Sequence, residues 1–240
     1  GTPKIRNNLI TRNNGGIGVW YDAAPTIEHN TISYNNSRGI SVNGNSIIRH
    51  NIIMYNYGIG NGGGIKIQNR GSLGYDPADG ISQEIYNNTI FGNLVQSSQS
   101  GEGGFGGGIY IQGGLLPVNI FNNIIRGNTA DMGNSIYLNN ASENNPHYND
   151  WNFDISVRFS NISQSENDIY ISTSTDNLIQ WEDNNVDLEP SFCDYGKGIL
   201  TLEQNSPCLG SGLDGANIGA LGIGCETAEI ELAPTASSFK

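Results

Sequence analysis

The stretch NTISYNNSRGISV, Asn30–Val42, sets two asparagines five residues apart around an isoleucine, then a glycine, then a short alternating segment. Asparagine and glycine usually punctuate loops, whereas Ile40-Ser41-Val42 has the period of a half-buried strand. A single copy would decide nothing, but the same pattern recurs. IRNNLITRNNGGIGV (5–19), IEHNTISYNNSRGISV (27–42) and IRHNIIMYN…GGIKI (48–67) share it, as do IYNNTIFGN…GGIYI (85–111) and IFNNIIRGN…NSIYL (120–138). The common core is I-x-x-N-x-I-x-x-N, a variable loop, then G-I-x-[VIL].

Aligning the copies produces columns. One asparagine column is Asn8, Asn30, Asn51, Asn88 and Asn123; the second is Asn13, Asn35, Asn56, Asn93 and Asn128. Ile5, Ile27, Ile48, Ile85 and Ile120 form one apolar column, and Ile10, Ile32, Ile53, Ile90 and Ile125 another. The closing strand adds Ile17, Ile40, Ile65, Ile109 and Ile136, then Val19, Val42, Ile67, Ile111 and Leu138. A unit of some 22 residues with a short strand on each side describes one coil of a parallel β-solenoid, in which identical residues stack at the strand spacing of about 4.8 Å. A leucine-rich repeat of similar length would need its own leucine spacing, which is missing. The asparagines are expected at corners, in left-handed backbone geometry, with their amides bonded up and down the stack. Gly16, Gly39, Gly64 and Gly108 are expected to turn the chain into the closing strand, with Ser135 breaking that column.

Composition agrees. The 240 residues hold 33 glycines and only 14% charged side chains, poor material for long helices. A net charge of −12 and a pI near 4.4 argue against nucleic-acid binding and against attraction to an anionic membrane surface. No apolar run approaches the ~20 residues of a membrane-spanning helix. The opening GTPKIRNN shows no leader pattern, which says nothing about export. Cys193, Cys208 and Cys225 all fall in the last quarter, where two can pair and one is left over.

These repeats resemble the right-handed parallel β-helix repeat proteins, the broad pectate-lyase-like superfamily. The resemblance covers residues 1–175, regular to 138 and degenerate afterwards, and it implies an all-β single-stranded solenoid. It specifies a fold and not a chemistry. Residues 176–225 contain VDLEPSFCDYGKGILTLEQNSPCLGSGLDGANIGALGIGC, which is similar to the C-terminal module of many secreted bacterial β-helix proteins. The matching positions are Asp187, Pro190 to Asp194, Leu200 to Leu202, Asn205 to Cys208, and Ile218 to Ala220. That likeness implies a secreted or cell-surface bacterial protein whose β-helix is closed by this segment. Residues 226–240 read as an acidic linker or tail, part of a longer multidomain chain.

Function is sought where the pattern breaks, since long loops on a regular solenoid carry it. Insertions occur at 57–63, 69–82, 94–107 and 140–151. They are expected to wall a groove floored by Lys66, Tyr110 and Tyr137, with Gln68, Gln112 and Asn139 in the next column. Tyr75, Phe105 and Trp151 on the walls would stack on sugar rings, so a polysaccharide or cell-surface glycan is the expected partner. The alternative is that the insertions cover the strand face and pack on one another. A polysaccharide lyase would need a base, for which Lys66 and Arg70 are the candidates, and calcium near Asp76 and Asp79. Otherwise no cofactor is implied. GYDPADG also resembles a motif of alginate epimerases, but Ala78 stands where their histidine would be, and that activity does not carry over. His29 and His50 share an outward column without a carboxylate or thiolate column to complete a metal site. The leading expectation is a non-catalytic extracellular β-helix module that binds carbohydrate; a lyase and a structural spacer of a larger surface protein are the alternatives.

Overall fold

The computed structural model describes residues 2–20, 23–68, 82–101, 103–112, 116–139, 154–172, 179–182 and 184–225. Three parallel sheets form the sides of a solenoid. The first stacks β1 (Lys4–Arg6), β4 (Thr26–Glu28), β7 (Ile47–Arg49), β11 (Gln83–Tyr86), β15 (Val118–Phe121), β18 (Ile155–Arg158) and β21 (Ile179–Trp181). The second stacks β2 (Leu9–Thr11), β5 (Thr31–Ser33), β8 (Ile52–Met54), β12 (Thr89–Phe91), β16 (Ile124–Arg126) and β19 (Asn161–Ile162). The third stacks β3 (Ile17–Val19), β6 (Ile40–Asn43), β10 (Ile65–Gln68), β14 (Ile109–Gln112), β17 (Ile136–Asn139) and β20 (Ile169–Ser172).

The register follows the sequence columns. Ile5 pairs Ile27, Ile27 pairs Ile48, and the column runs on through Ile85, Ile120 and Val157. Ile10 starts the second column, which ends at Ile162. Most of these side chains are fully buried and form one continuous core. Burying one such isoleucine stabilises by about 1.5–3 kcal/mol, so the identical columns supply the cohesion of every coil-to-coil contact.

The asparagine ladders are present, with one correction to their backbone. The left-handed residues are those just before each ladder asparagine. At the first corner Asn7, His29, His50, Asn87 and Asn122 have φ between 52° and 58°; at the second, Arg12, Tyr34 and Tyr55 have φ of 53–56° and Gly92 and Gly127 63–64°. One left-handed residue between two strands bends the chain, and the asparagine that follows bonds along the stack. Asn51 is typical. Its Oδ1 accepts from the backbone N–H and Nδ2 of Asn30, both at 3.0 Å. Its Nδ2 donates to Ile27 O at 2.9 Å, Arg49 O at 2.9 Å and Asn88 Oδ1 at 3.0 Å. Past Asn123 a serine takes the position: Ser160 Oγ accepts from Asn123 N, and Ser160 N donates to Asn185 Oδ1.

The glycine column also has a different cause from the expected turn. Gly64 has no positive φ, but a Cβ there would lie 2.6 Å from Gly108 O and 2.7 Å from Ile90 Cγ2. Close approach of successive coils excludes a side chain.

Beyond the expected boundary at 175, β21 continues the first sheet and Val186 bridges to Asn161, so the stack reaches residue 186. The following segment carries an antiparallel pair, β22 (Phe192–Asp194) and β23 (Ile199–Leu202). It does not sit over an end of the solenoid. It lies along the outer face of the second sheet, where Phe192, Leu200, Leu202, Cys208 and Ile218 pack with Ile124, Ile52, Met54 and Phe91. Long-range bonds fix it there: Tyr55 Oη donates to Tyr195 O, Asn87 Nδ2 to Asn217 O, Leu213 N to Asn122 Oδ1, and Ala220 N to Thr89 Oγ1. Cys193 pairs with Cys225, and Cys208 is the buried free thiol.

Candidate functional site

The outward columns of the third sheet lie as the sequence spacing requires. Ser41, Lys66, Tyr110, Tyr137 and Tyr170 are in register, and beside them run Asn43, Gln68, Gln112, Asn139 and Ser172. The tyrosine rings stack nearly parallel, Tyr110 on Tyr137 at 5.6 Å and Tyr137 on Tyr170 at 5.0 Å between centroids. Lys66 Nζ lies 5.8 Å from the centroid of the Tyr110 ring, within cation–π range. In the polar column Gln68 Nε2 donates to Gln112 Oε1 at 3.3 Å, and Asn139 Nδ2 reaches across to Tyr110 Oη at 2.9 Å.

Tyr110 and Tyr137, expected on an open floor, are covered: they are 2% and 6% exposed, whereas Tyr170 is 39% exposed. Phe105 accounts for part of that cover, stacking on Tyr137 at 4.7 Å. Burial raises the pKa of both phenols, so both stay neutral hydrogen-bonding groups.

The described insertions are not free-standing loops. β9 (Tyr57–Ile59) and β13 (Leu94–Gln96) pair in parallel as a fourth, two-stranded sheet, and Asn61 bridges to Phe105. Insertions in successive coils therefore stack on each other and deliver Phe105 to the tyrosine column. Of the expected site residues, the structure brings together Lys66, Gln68, Phe105, Tyr110, Gln112, Tyr137 and Asn139. Arg70, Tyr75, Asp76, Asp79 and Trp151 lie outside the described residues, as does the 226–240 tail. Among the described residues no group of three or more His, Cys, Asp or Glu side chains is placed to hold a metal.

On the opposite corner, His29 and His50 stack at 4.9 Å with their planes 2° apart, above the Glu28–Arg49 ion pair. Arg49 also donates to Tyr86 Oη at 2.8 Å. The arrangement is a ring-and-charge ladder that extends through Tyr86 and Phe121 to Arg158.

One feature escaped the sequence reading. Between the second sheet and the 186–225 segment lies a cleft of about 620 Å³ lined by Phe91, Arg126, Glu189, Phe192, Tyr195 and Glu203, among others. Its legible trace is the outward column of the second sheet turning apolar at Ile52, Met54 and Phe91, which signals a covered face.

Parallel sheets in three stacks, continuous isoleucine columns and two asparagine ladders define a parallel β-helix repeat protein. The sequence model of the family described as "Right handed beta helix region" matches residues 1–74, and the fold is accordingly a right-handed parallel β-helix. The match supports at most a carbohydrate-active or surface β-helix family. No curated protein and no solved structure matches the chain.

Proposed function

We propose that the chain is a non-catalytic extracellular or cell-surface β-helix module that binds carbohydrate on the outer face of the third sheet. The observation that carries this reading is the in-register tyrosine stack beside the amide column. Tyr170 offers an exposed ring at the end of a stack whose inner members are held rigid, which suits one face of a sugar. Gln68, Gln112 and Asn139 repeat along the coils at a spacing that lets neighbouring hydroxyls bond to successive amides. The Cys193–Cys225 disulfide supports an oxidising, extracellular setting.

A glycan array followed by calorimetry tests the reading. The wild-type chain is expected to bind a polysaccharide fragment, and Tyr170→Ala is expected to weaken that binding at least tenfold with little effect on folding. Absence of any hit at high protein concentration would leave the spacer role in its place. Release of unsaturated uronate from any polymer of the panel would instead establish a lyase.

A further inference from the structure

The cleft between the second sheet and the 186–225 segment has its own chemistry. Its walls are aromatic: Phe91 meets Phe192 edge-on at 5.3 Å and Tyr195 at 5.8 Å, and Tyr195 is 56% exposed. The Tyr195 backbone is anchored, because its carbonyl accepts from Tyr55 Oη at 2.6 Å. Ser191, on the wall, is held in left-handed geometry at φ 54°, and its carbonyl accepts from Glu203 N at 2.9 Å. The platform is therefore set by the backbone and does not depend on the ring that it presents.

The charge in the cleft is unbalanced. Among the described lining residues Arg126 is the only cation, and its guanidinium is engaged by Asp187. Asp187 Oδ2 also accepts from Gln164 N at 3.1 Å. Against the opposing effect of partial burial, these two donors keep the Asp187 carboxyl below the ordinary carboxylate range, so Arg126 stays paired at neutral pH. Glu189 and Glu203 are exposed lining residues, and neither forms an ion pair among the described residues. Once the Arg126–Asp187 pair is taken as neutral, two carboxylates remain beside an exposed aromatic ring. An anionic uronate would be repelled, and a neutral sugar would gain nothing from either charge. A sugar ring bearing an ammonium group satisfies both features: its apolar face suits the Tyr195 ring and its positive charge suits the acidic lining.

We infer that this cleft is a second carbohydrate site, selective for cationic amino sugars, formed jointly by the solenoid wall and the C-terminal segment. It is independent of the third-sheet face, so either site stands if the other fails.

The test compares three oligomers of similar length by calorimetry: a glucosamine trimer, an N-acetylglucosamine trimer and a galacturonate trimer. The glucosamine trimer is expected to bind at least tenfold more tightly than its neutral N-acetylated analogue, and the galacturonate trimer not to bind in the cleft. Tyr195→Ala is expected to weaken glucosamine binding at least tenfold. Glu203→Gln, isosteric and at an exposed position, is expected to lower it severalfold and to flatten its salt dependence. Tyr170→Ala should leave it unchanged. The inference is overturned if the glucosamine trimer does not bind, if the N-acetylated trimer binds as tightly, or if Tyr195→Ala and Glu203→Gln both leave its affinity unchanged.

Discussion

At the scale of single residues, the asparagine ladders are structural and their energetics are unforgiving. Asn51 is fully buried and its amide serves five contacts across three coils. Replacing it by alanine leaves the buried N–H of Asn30 without its acceptor and removes the donor to Ile27 O, Arg49 O and Asn88 Oδ1. Each such group costs about 1–3 kcal/mol, so Asn51→Ala is expected to lose about 3 kcal/mol or more in urea unfolding. By contrast Asn87, one turn position earlier in its coil, is a matter of backbone conformation, since its place is held by histidine in other coils. His50 offers a pH test of the same corner. Burial, the stacked His29 and nearby Arg49 lower its pKa below the ordinary 6.5, with Glu28 acting in the opposite sense. As pH falls through 6.5 the unfolded chain takes up a proton that the folded chain resists, so stability is lost from there downward until the folded His50 itself titrates. Thermal unfolding between pH 7.5 and 5 is expected to show this loss. His50→Asn, which keeps a residue tolerant of left-handed geometry, is expected to reduce it. An unchanged pH profile in that variant would remove His50 as its cause.

Among the elements, the sheet strands were legible because their period is repeated. Ile27, Ile48 and Ile85 identify one another as a column, and the pairing register follows. Two things were not legible. Asparagine readily adopts left-handed geometry, so the sequence assigned the bend to the ladder residue, although the bend sits one residue earlier; hydrogen bonding along the stack holds the asparagine to its own role. The docking of residues 186–225 was hidden because its contacts join positions 140 apart, as in Tyr55 with Tyr195, and no periodic signal spans that distance. The segment reads as an end closure by resemblance and proves to be a lateral clasp. The Cys193–Cys225 bond, with a sequence separation of 32, ties down the end of that clasp. A loop of this size corresponds to about 3–4 kcal/mol of constraint on the unfolded chain. Reduction is therefore expected to speed amide hydrogen exchange within 192–224 while leaving residues 27–111 protected. Equal loss of protection in both regions would mean that clasp and coils unfold as one unit.

For the whole molecule, a β-helix divides labour between inside and outside. The stacked interior is nearly uniform, so the chain's individuality lies in its outward columns and in the parts that leave the repeat. That explains why candidate site residues could be named from sequence while their exposure could not. Tyr110 and Tyr137 were placed correctly by register, but their covering depends on how insertions from neighbouring coils stack, and Phe105 reaches them through strand pairing and not through any spacing in the sequence. The same division sets apart the two proposed surfaces, one on the third sheet and one under the clasp over the second. Hydroxyl-radical footprinting with mass spectrometry reads both at once. Tyr170, Tyr195 and Tyr34 are all exposed, and Tyr34, which follows the second sheet and stacks on Tyr55, serves as the internal control for Tyr170 on the third sheet. On saturation with the polysaccharide fragment found on the array, oxidation of Tyr170 is expected to fall severalfold while Tyr34 is unchanged. Unaltered labelling of Tyr170 in a demonstrably saturated complex would contradict the assignment of carbohydrate binding to the third sheet.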